Sequence, residues 1–328
     1  MLAKEGTLLC NRLLEKLVLH GITYIKTGDS GRRLQLDDSW LISPVTDSLE
    51  FQQFSVQYNG MLSAIQQELN SILAGGPVEE SLILAAVSSL TKKALTTSNV
   101  LNFIRFIKQG DDATYSHCLN VALLCSIFGT WMGMSKDNLS KLIIAGMLHD
   151  IGKTQIMPEI LYKPGKLSDI EFAEVKKHTI YGYKVLEGTS LPHAVKLASL
   201  LHHEKFDGAG YPFKIAETQL DMITSIVSIC DIFEAMTADR VYRARMSPFL
   251  VTKQFERGDF GLLNPSYLLI FLMRMVDTFV GRFIRLNDGR EGKVLLINKQ
   301  DISRPLIQCE HEFIDLSVEK HLEISAVY

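Results

Sequence analysis

The chain has 328 residues, 47% hydrophobic and 22% charged, with a formal net charge of −3. That length supports one large domain or two to three smaller ones with real cores, and the composition is that of a globular rather than a disordered protein. The near-neutral charge excludes a global basic field that would draw the molecule onto duplex nucleic acid or an anionic membrane.

The first elements are mixed. Leu8, Leu9, Leu13, Leu14, Leu17 and Val18 predict a short helix ended near Gly21, and Ile22, Tyr24 and Ile25 a strand closed by the turn at 28–31. Phe51, Phe54, Tyr58, Met61, Leu62, Ile65, Leu69, Ile72 and Leu73 recur at spacings of mostly three and four, as on a helix with one apolar face. Gly75-Gly76-Pro77 stops that helix. From 79 to 277 helix follows helix across short Gly- or Pro-bearing turns, and strand alternation is almost absent, which predicts an all-helical core. After Gly281, Phe283 to Leu286, Asn287-Asp288-Gly289 and Lys293 to Ile297 predict a β-hairpin, and Leu306 to Cys309 another strand. The fold class is therefore mainly α: an all-helical central domain, a mixed or helical N-terminal region, and a small C-terminal β appendage.

The five cysteines, Cys10, Cys118, Cys125, Cys230 and Cys309, are scattered and form no C-x-x-C pair. They argue against a disulfide framework or a thiolate zinc site and for a reducing cytosol. No secretory leader is expected. The most apolar stretch, 268–276, contains Arg274 and is too short to span a bilayer, so no membrane insertion is expected.

The histidines are more informative. His149 and Asp150 are adjacent at the end of an apolar run, and so are His202 and His203. With His117, His178 and Asp231 they give seven nitrogen and carboxylate donors in mostly apolar surroundings. Buried imidazoles are costly unless paired, and a divalent metal offsets that cost for a cluster better than for a single residue. His20, His193, His311 and His321 read as ordinary histidines.

The contexts of the pairs go further: Leu148-His149-Asp150-Ile151-Gly152-Lys153, then Pro158 to Leu167, then His202-His203-Glu204-Lys205-Phe206-Asp207-Gly208-Ala209-Gly210-Tyr211-Pro212, then Asp231 to Arg243. In that order they resemble the HD-GYP family of bacterial cyclic di-GMP phosphodiesterases, over residues 99–277. The resemblance implies an HD-type catalytic domain at 99–278, between an accessory or regulatory region at 1–98 and a β extension at 279–328. It implies His117, His149, Asp150, His178, His202, His203 and Asp231 as metal ligands, with Asp150 bridging two divalent ions. Iron is the metal implied by resemblance; mixed imidazole and carboxylate donors also suit manganese, nickel or zinc. A third ion, held in some members by a Glu four residues before the first His, is not expected, because Ala113 stands there. Asp150, Lys153 and Glu234 are the implied catalytic groups. Lys153, Arg240, Arg243, Asp207, Gly210 and Tyr211 are implied to bind substrate.

The expected activity is hydrolysis of cyclic di-GMP, or a related cyclic dinucleotide, to the linear pGpG and/or GMP by metal-activated hydroxide. Two ions lower the pKa of a water and clamp phosphoryl oxygens during in-line attack. Glu234 and Ser225 stand where the family usually has Asp and Arg, and the segment after Pro212 lacks the usual glycines. These departures leave open a second reading, a catalytically weak domain acting as a cyclic-dinucleotide receptor or protein-interaction module. Hydrolysis of nucleoside phosphates is a third. The 51–74 helix is open to three uses: packing on the catalytic domain, a homodimer seam, or a surface for a signalling partner.

Overall fold

The computed structural model describes residues 24–27, 32–35, 46, 48–93, 97–107, 113–216, 220–238, 245–310 and 312–328. The helix expected over residues 8–18 lies outside them. Strands β1 (Tyr24–Thr27) and β2 (Arg32–Gln35) pair antiparallel, Tyr24 opposite Gln35; the turn expected at 28–31 lies outside the described residues.

Helix α1 (Leu49–Leu73) begins at Ser48, whose hydroxyl accepts from the Phe51 amide at 3.1 Å, satisfying a donor that the first turn cannot. It ends before Gly75, where φ is +86°. The buried stripe is Phe51, Phe54, Tyr58, Ile65, Leu69 and Ile72, close to the predicted face. Phe51 and Phe54 meet Phe103 at ring-centroid distances of 5.5 and 5.3 Å. Phe103 belongs to α3 (Thr97–Phe106), which follows α2 (Glu80–Lys93).

Helix α4 (Ala113–Trp131) is buried on every side from Ser116 to Gly129. Such a helix has no solvent face and must lie at the centre of a bundle. Packed around it are α1, α2, α5 (Lys136–Leu148) and α10 (Met222–Thr237). Between α5 and α10 come a 3₁₀ helix (Ile151–Gln155), α6 (Pro158–Leu161), α7 (Asp169–Lys176), α8 (His178–Glu187) and α9 (His193–Leu201). Helices α11 (Pro248–Arg257) and α12 (Pro265–Asp277) close the helical part.

The C-terminal sheet is antiparallel, in the order β6-β5-β4-β3-β7. It comprises β3 (Phe283–Leu286), β4 (Glu291–Leu296), β5 (Leu306–Cys309), β6 (Glu312–Asp315) and β7 (Ile324–Val327). The hairpin and the third strand follow the sequence expectation; β6 and β7 add to it. Arg304 pins the connection between them, donating to the carbonyls of Leu316, Glu319, Lys320 and Leu322. The sheet is tied to the helices by the Lys253–Glu323 ion pair and by Arg105 Nη2, which donates to the Val327 carbonyl. Among the described residues no helix is long and apolar enough to cross a membrane.

Candidate metal centre

Three helix ends and two helix interiors deliver the donor side chains. His149 and Asp150 follow the C-terminus of α5, His178 opens α8, and His202 and His203 follow α9. His117 and Asp231 come from inside α4 and α10. The helices are drawn together by small residues and by hydroxyls. A Cβ at Gly152 would stand 2.0 Å from the His178 carbonyl and 2.3 Å from the Gly182 amide, so only glycine lets the 3₁₀ helix lie against α8. Ser199 Oγ donates to the His149 carbonyl at 3.1 Å, and Ser228 Oγ to the His202 carbonyl at 2.5 Å, linking α9 to α5 and α10 to α9.

The result is two overlapping donor groups: His117, His149, Asp150 and Asp231, and Asp150, His178, His202 and His203. Within each group the donor atoms all lie within 4.8 Å of one another. Asp150 is common to both and turns one oxygen to each. Its Oδ2 lies 3.3 Å from Nε2 of both His117 and His149. Its Oδ1 lies 3.2 Å from His178 Nε2 and 3.6 Å from His202 Nε2. Asp231 Oδ1 is 3.0 Å from His117 Nε2, and its Oδ2 is 4.0 Å from His203 Nδ1.

The tautomers are set from behind. His149 Nδ1 lies 2.8 Å from the Gly146 carbonyl, His178 Nδ1 2.7 Å from that of Val175, and His202 Nδ1 3.0 Å from that of Ala198. His117 Nδ1 meets Glu234 Oε2 at 2.5 Å. A ring that donates through Nδ1 presents the Nε2 lone pair forward, the arrangement of metal-ligating histidines. His117 Nε2, His149 Nε2 and Asp150 Oδ1 are buried without a hydrogen-bond partner. Orphaned donors that converge on one buried space fit divalent cations, and the set is the nitrogen and carboxylate mixture suited to them.

A profile of the HD domain family matches residues 86–249. The chain belongs to the HD domain family. Its motifs place it in the HD-GYP branch. The HD-GYP chain is 30% identical to a cyclic di-GMP phosphodiesterase of Pseudomonas aeruginosa, over 68% of its own length and 54% of the relative's. It is 31% identical to a cyclic di-GMP phosphodiesterase of Thermotoga maritima, over 70% of its length and 60% of the relative's. Against a 3'3'-cGAMP-specific phosphodiesterase of Vibrio cholerae the identity is 34%, over 41% of this chain and 31% of that one. The HD-GYP chain thus spans a third to three fifths of these relatives. A solved HDG"Y"P protein from Bdellovibrio bacteriovorus has the same fold, with a TM-score of 0.54 at 16% identity, over 73% of this chain and 81% of that one.

The centre of this HD-GYP domain calls for positive charge. Burial disfavours a charged His117, but Glu234, Asp150 and Asp231 outweigh it and lift the ring to about 10. Burial is likewise outweighed at His149, which Asp150 and Asp231 lift to about 9. Burial would raise Asp150, yet Lys153 and the facing histidines hold its carboxylate well below the usual range. His202 and His203 go the other way: burial, then neighbouring imidazoles, lowers His202 to about 4 and His203 well below its ordinary value. The two groups differ electrostatically although they share Asp150.

The remaining expected residues fall in different places. Lys153 Nζ forms an ion pair with Asp150 Oδ2 and is 21% exposed, at the open side of the cluster. Glu234, expected among the catalytic groups, is buried behind His117. One oxygen meets His117 and the other accepts from Asn120 Nδ2 at 2.9 Å, so it is a positioning residue. Tyr211 stacks on His203 at 4.7 Å with 27° between the rings. Gly210 is buried, and a Cβ there would stand 2.4 Å from Glu204 Cα. Asp207 is exposed and its carboxylate closes the local turn on the Ala209 amide, apart from both donor groups. Arg240 and Arg243 lie outside the described residues, as do His20 and His311. His193 and His321 are exposed and belong to neither donor group.

Two residues were not singled out from the sequence. Glu204, 1% exposed, accepts from the amides of Phe213, Lys214 and Ile215 at 2.6, 2.9 and 3.2 Å. It holds the segment that lacks the usual glycines, and its place directly after the His pair was the available signal. Lys176 lies over the Phe172 and Tyr211 rings, at 4.9 and 5.7 Å from their centroids. Nothing in its sequence neighbourhood marked that cation.

Proposed function

We propose that this chain hydrolyses a phosphodiester bond of cyclic di-GMP with two divalent ions. The first would be held by His117, His149, Asp231 and Asp150, the second by Asp150, His178, His202 and His203. The observation that carries the reading is the placing of Asp150, whose two oxygens face different donor groups. A single-ion site or a bare nucleotide pocket has no need of a shared buried carboxylate. Bound there, the ions supply a water of lowered pKa and a clamp on the phosphoryl oxygens. Iron is the first candidate, then manganese, nickel and zinc.

The protein's own contributions follow from its geometry. The Nδ1 hydrogen bonds hold the rings of His117, His149, His178 and His202 in place, and the stack with Tyr211 holds His203, so little reorganisation is needed as charge develops. Asp150 and Asp231, kept ionised, hold the cationic side of the centre in register. Lys153 Nζ, beside Asp150 and partly open, neutralises charge on the phosphoryl group or delivers a proton to the leaving sugar oxygen. Tyr211, fixed by its stack on His203, walls the substrate side. The family resemblance, not the geometry, adds Arg240 and Arg243 as planar forks on the phosphates. The relatives named cyclic di-GMP phosphodiesterases support the choice of substrate.

The test is hydrolysis of cyclic di-GMP by purified protein reconstituted anaerobically with iron or manganese. A variant with His149 and Asp150 both changed to Ala runs beside it, and 3'3'-cGAMP serves as an alternative substrate. Metal-dependent product from the native protein alone is expected. Tight nucleotide binding with no product under any metal would replace this reading with a receptor.

A further inference from the structure

The side chain of Tyr58 does something its apolar stripe does not require. It lies on α1, before the region matched by the family profile, which begins at 86. Tyr58 is fully buried, and its hydroxyl donates to Asn120 Oδ1 at 2.8 Å, with the Ser116 carbonyl at 3.3 Å. Asn120 then donates through Nδ2 to Glu234 Oε1 at 2.9 Å, and Glu234 Oε2 meets His117 Nδ1 at 2.5 Å. Tyr58, Asn120, Glu234 and His117 are each at most 3% exposed.

Every link has a direction. An Asn amide has one accepting and one donating end. Glu234 can only accept, so it turns the NH₂ of Asn120 toward itself and the amide oxygen toward α1, where the Tyr58 hydroxyl donates to it and holds it. The opposite orientation would set a carbonyl against a carboxylate. Glu234, held at one oxygen by that NH₂, offers the other to His117 and fixes the ring whose Nε2 faces Asp150 and Asp231. Burial raises Tyr58 well above its ordinary value, so it remains a donor throughout the working range.

We infer that Tyr58 is a positioning residue of the metal centre, acting through Asn120 and Glu234 on His117, and that α1 is thereby coupled to the ion held by His117. The inference rests on the two-ion reading above and adds to it a route by which a displacement of α1 reaches a metal ligand. A polar chain buried in a low-dielectric core is costly to leave partly satisfied. The loss of one hydroxyl therefore travels along it.

The experiment is titration of the full chain with Mn²⁺, following free Mn²⁺ by electron paramagnetic resonance, for native protein, Tyr58→Phe, Phe54→Leu and Glu234→Gln. Tyr58→Phe keeps the ring and removes only the hydroxyl. Phe54→Leu disturbs the same helix face, including the packing on the Tyr58 ring at 6.0 Å, but removes no hydrogen bond of the chain. Direct partners of metal-bound histidines typically contribute about 10–100-fold in affinity, and Glu234→Gln is expected in that range. Tyr58→Phe, one link further out, should weaken one of the two ions by about 3–10-fold and leave the other unchanged, with Phe54→Leu at native affinity for both. Equal effects of Tyr58→Phe and Phe54→Leu, or none from Tyr58→Phe, would overturn the coupling.

Should Tyr58→Phe fail to fold, Asn120→Ala removes the middle link without altering α1, and the same criteria decide. Two ions bound natively with no hydrolysis of cyclic di-GMP would sink the proposed reaction while leaving the coupling to stand or fall on the titration. A native protein that takes up no Mn²⁺ would sink both.

Discussion

Asp150→Asn preserves shape and removes the charge that both donor groups share. This variant is expected to lose both ions, whereas His203→Ala, which touches one group only, should lose one. Metal content per chain, measured by mass spectrometry after gel filtration, distinguishes the two. Lys153 tests the opposite division, between chemistry and assembly. Lys153→Ala should retain both ions and lower kcat on the order of 100- to 1000-fold, the scale of removing one charge-stabilising donor; loss of metal instead would make the lysine structural. The imidazoles add a pH dependence. His117 and His149 are raised to about 10 and about 9. Their contribution to the stability of the ion-free fold is therefore complete below the ordinary histidine value of about 6.5 and is lost as pH rises through 9 and 10. Cations compete with those protons, so metal affinity should increase with pH across the same interval. Calorimetric titrations in buffers of different ionisation enthalpy should show proton release on binding, and its absence would contradict the assignment of these rings.

The helices converge on Asp150 because backbone meets backbone without a side chain between them. At Gly152 a methyl group would stand 2.0 Å from the His178 carbonyl, so Gly152→Ala must push α8 outward. Thermal denaturation should report a loss of about 1–3 kcal/mol, the usual cost of overpacking, and the group containing His178 should bind its ion more weakly. Unchanged stability would mean that the contact is softer than its geometry. Elements of this kind separate what the sequence discloses from what it conceals. The His149-Asp150 and His202-His203 pairs were visible because neighbours along the chain are also neighbours in space at a helix end. The stripe of α1 was visible because its period is local. Glu234 was seen as a charge, but its task depends on His117, 117 positions away, and on Asn120. Glu204 supports its loop across nine to eleven residues through backbone amides, which no side-chain pattern announces. Strands β6 and β7 escaped for a related reason. Each is four residues long, and β7 pairs with β3 some forty positions earlier, so their partners rather than their own alternation make them strands.

At the scale of the whole molecule, the division expected at 98/99 runs through α3 (Thr97–Phe106). Phe103, just beyond it, packs on Phe51 and Phe54 of α1. A chain shortened to begin at residue 99 would uncover that apolar face and leave Asn120 without its donor. It is expected to aggregate or to melt well below the full protein, whereas one beginning at residue 46 should fold and load metal. Size-exclusion chromatography and calorimetry of the two would decide, and a stable monomer from 99 onward would return the boundary to its place. The hydroxyl of Tyr58 thereby limits how this protein can be recombined. Catalytic modules of signalling proteins are exchanged by joining one domain's end to another's beginning, which succeeds where few contacts cross the junction. Here His117, proposed as a ligand, is braced from the far side of that junction. A new N-terminal partner would have to arrive with a helix of the same reach, or the seam would have to be cut upstream of α1.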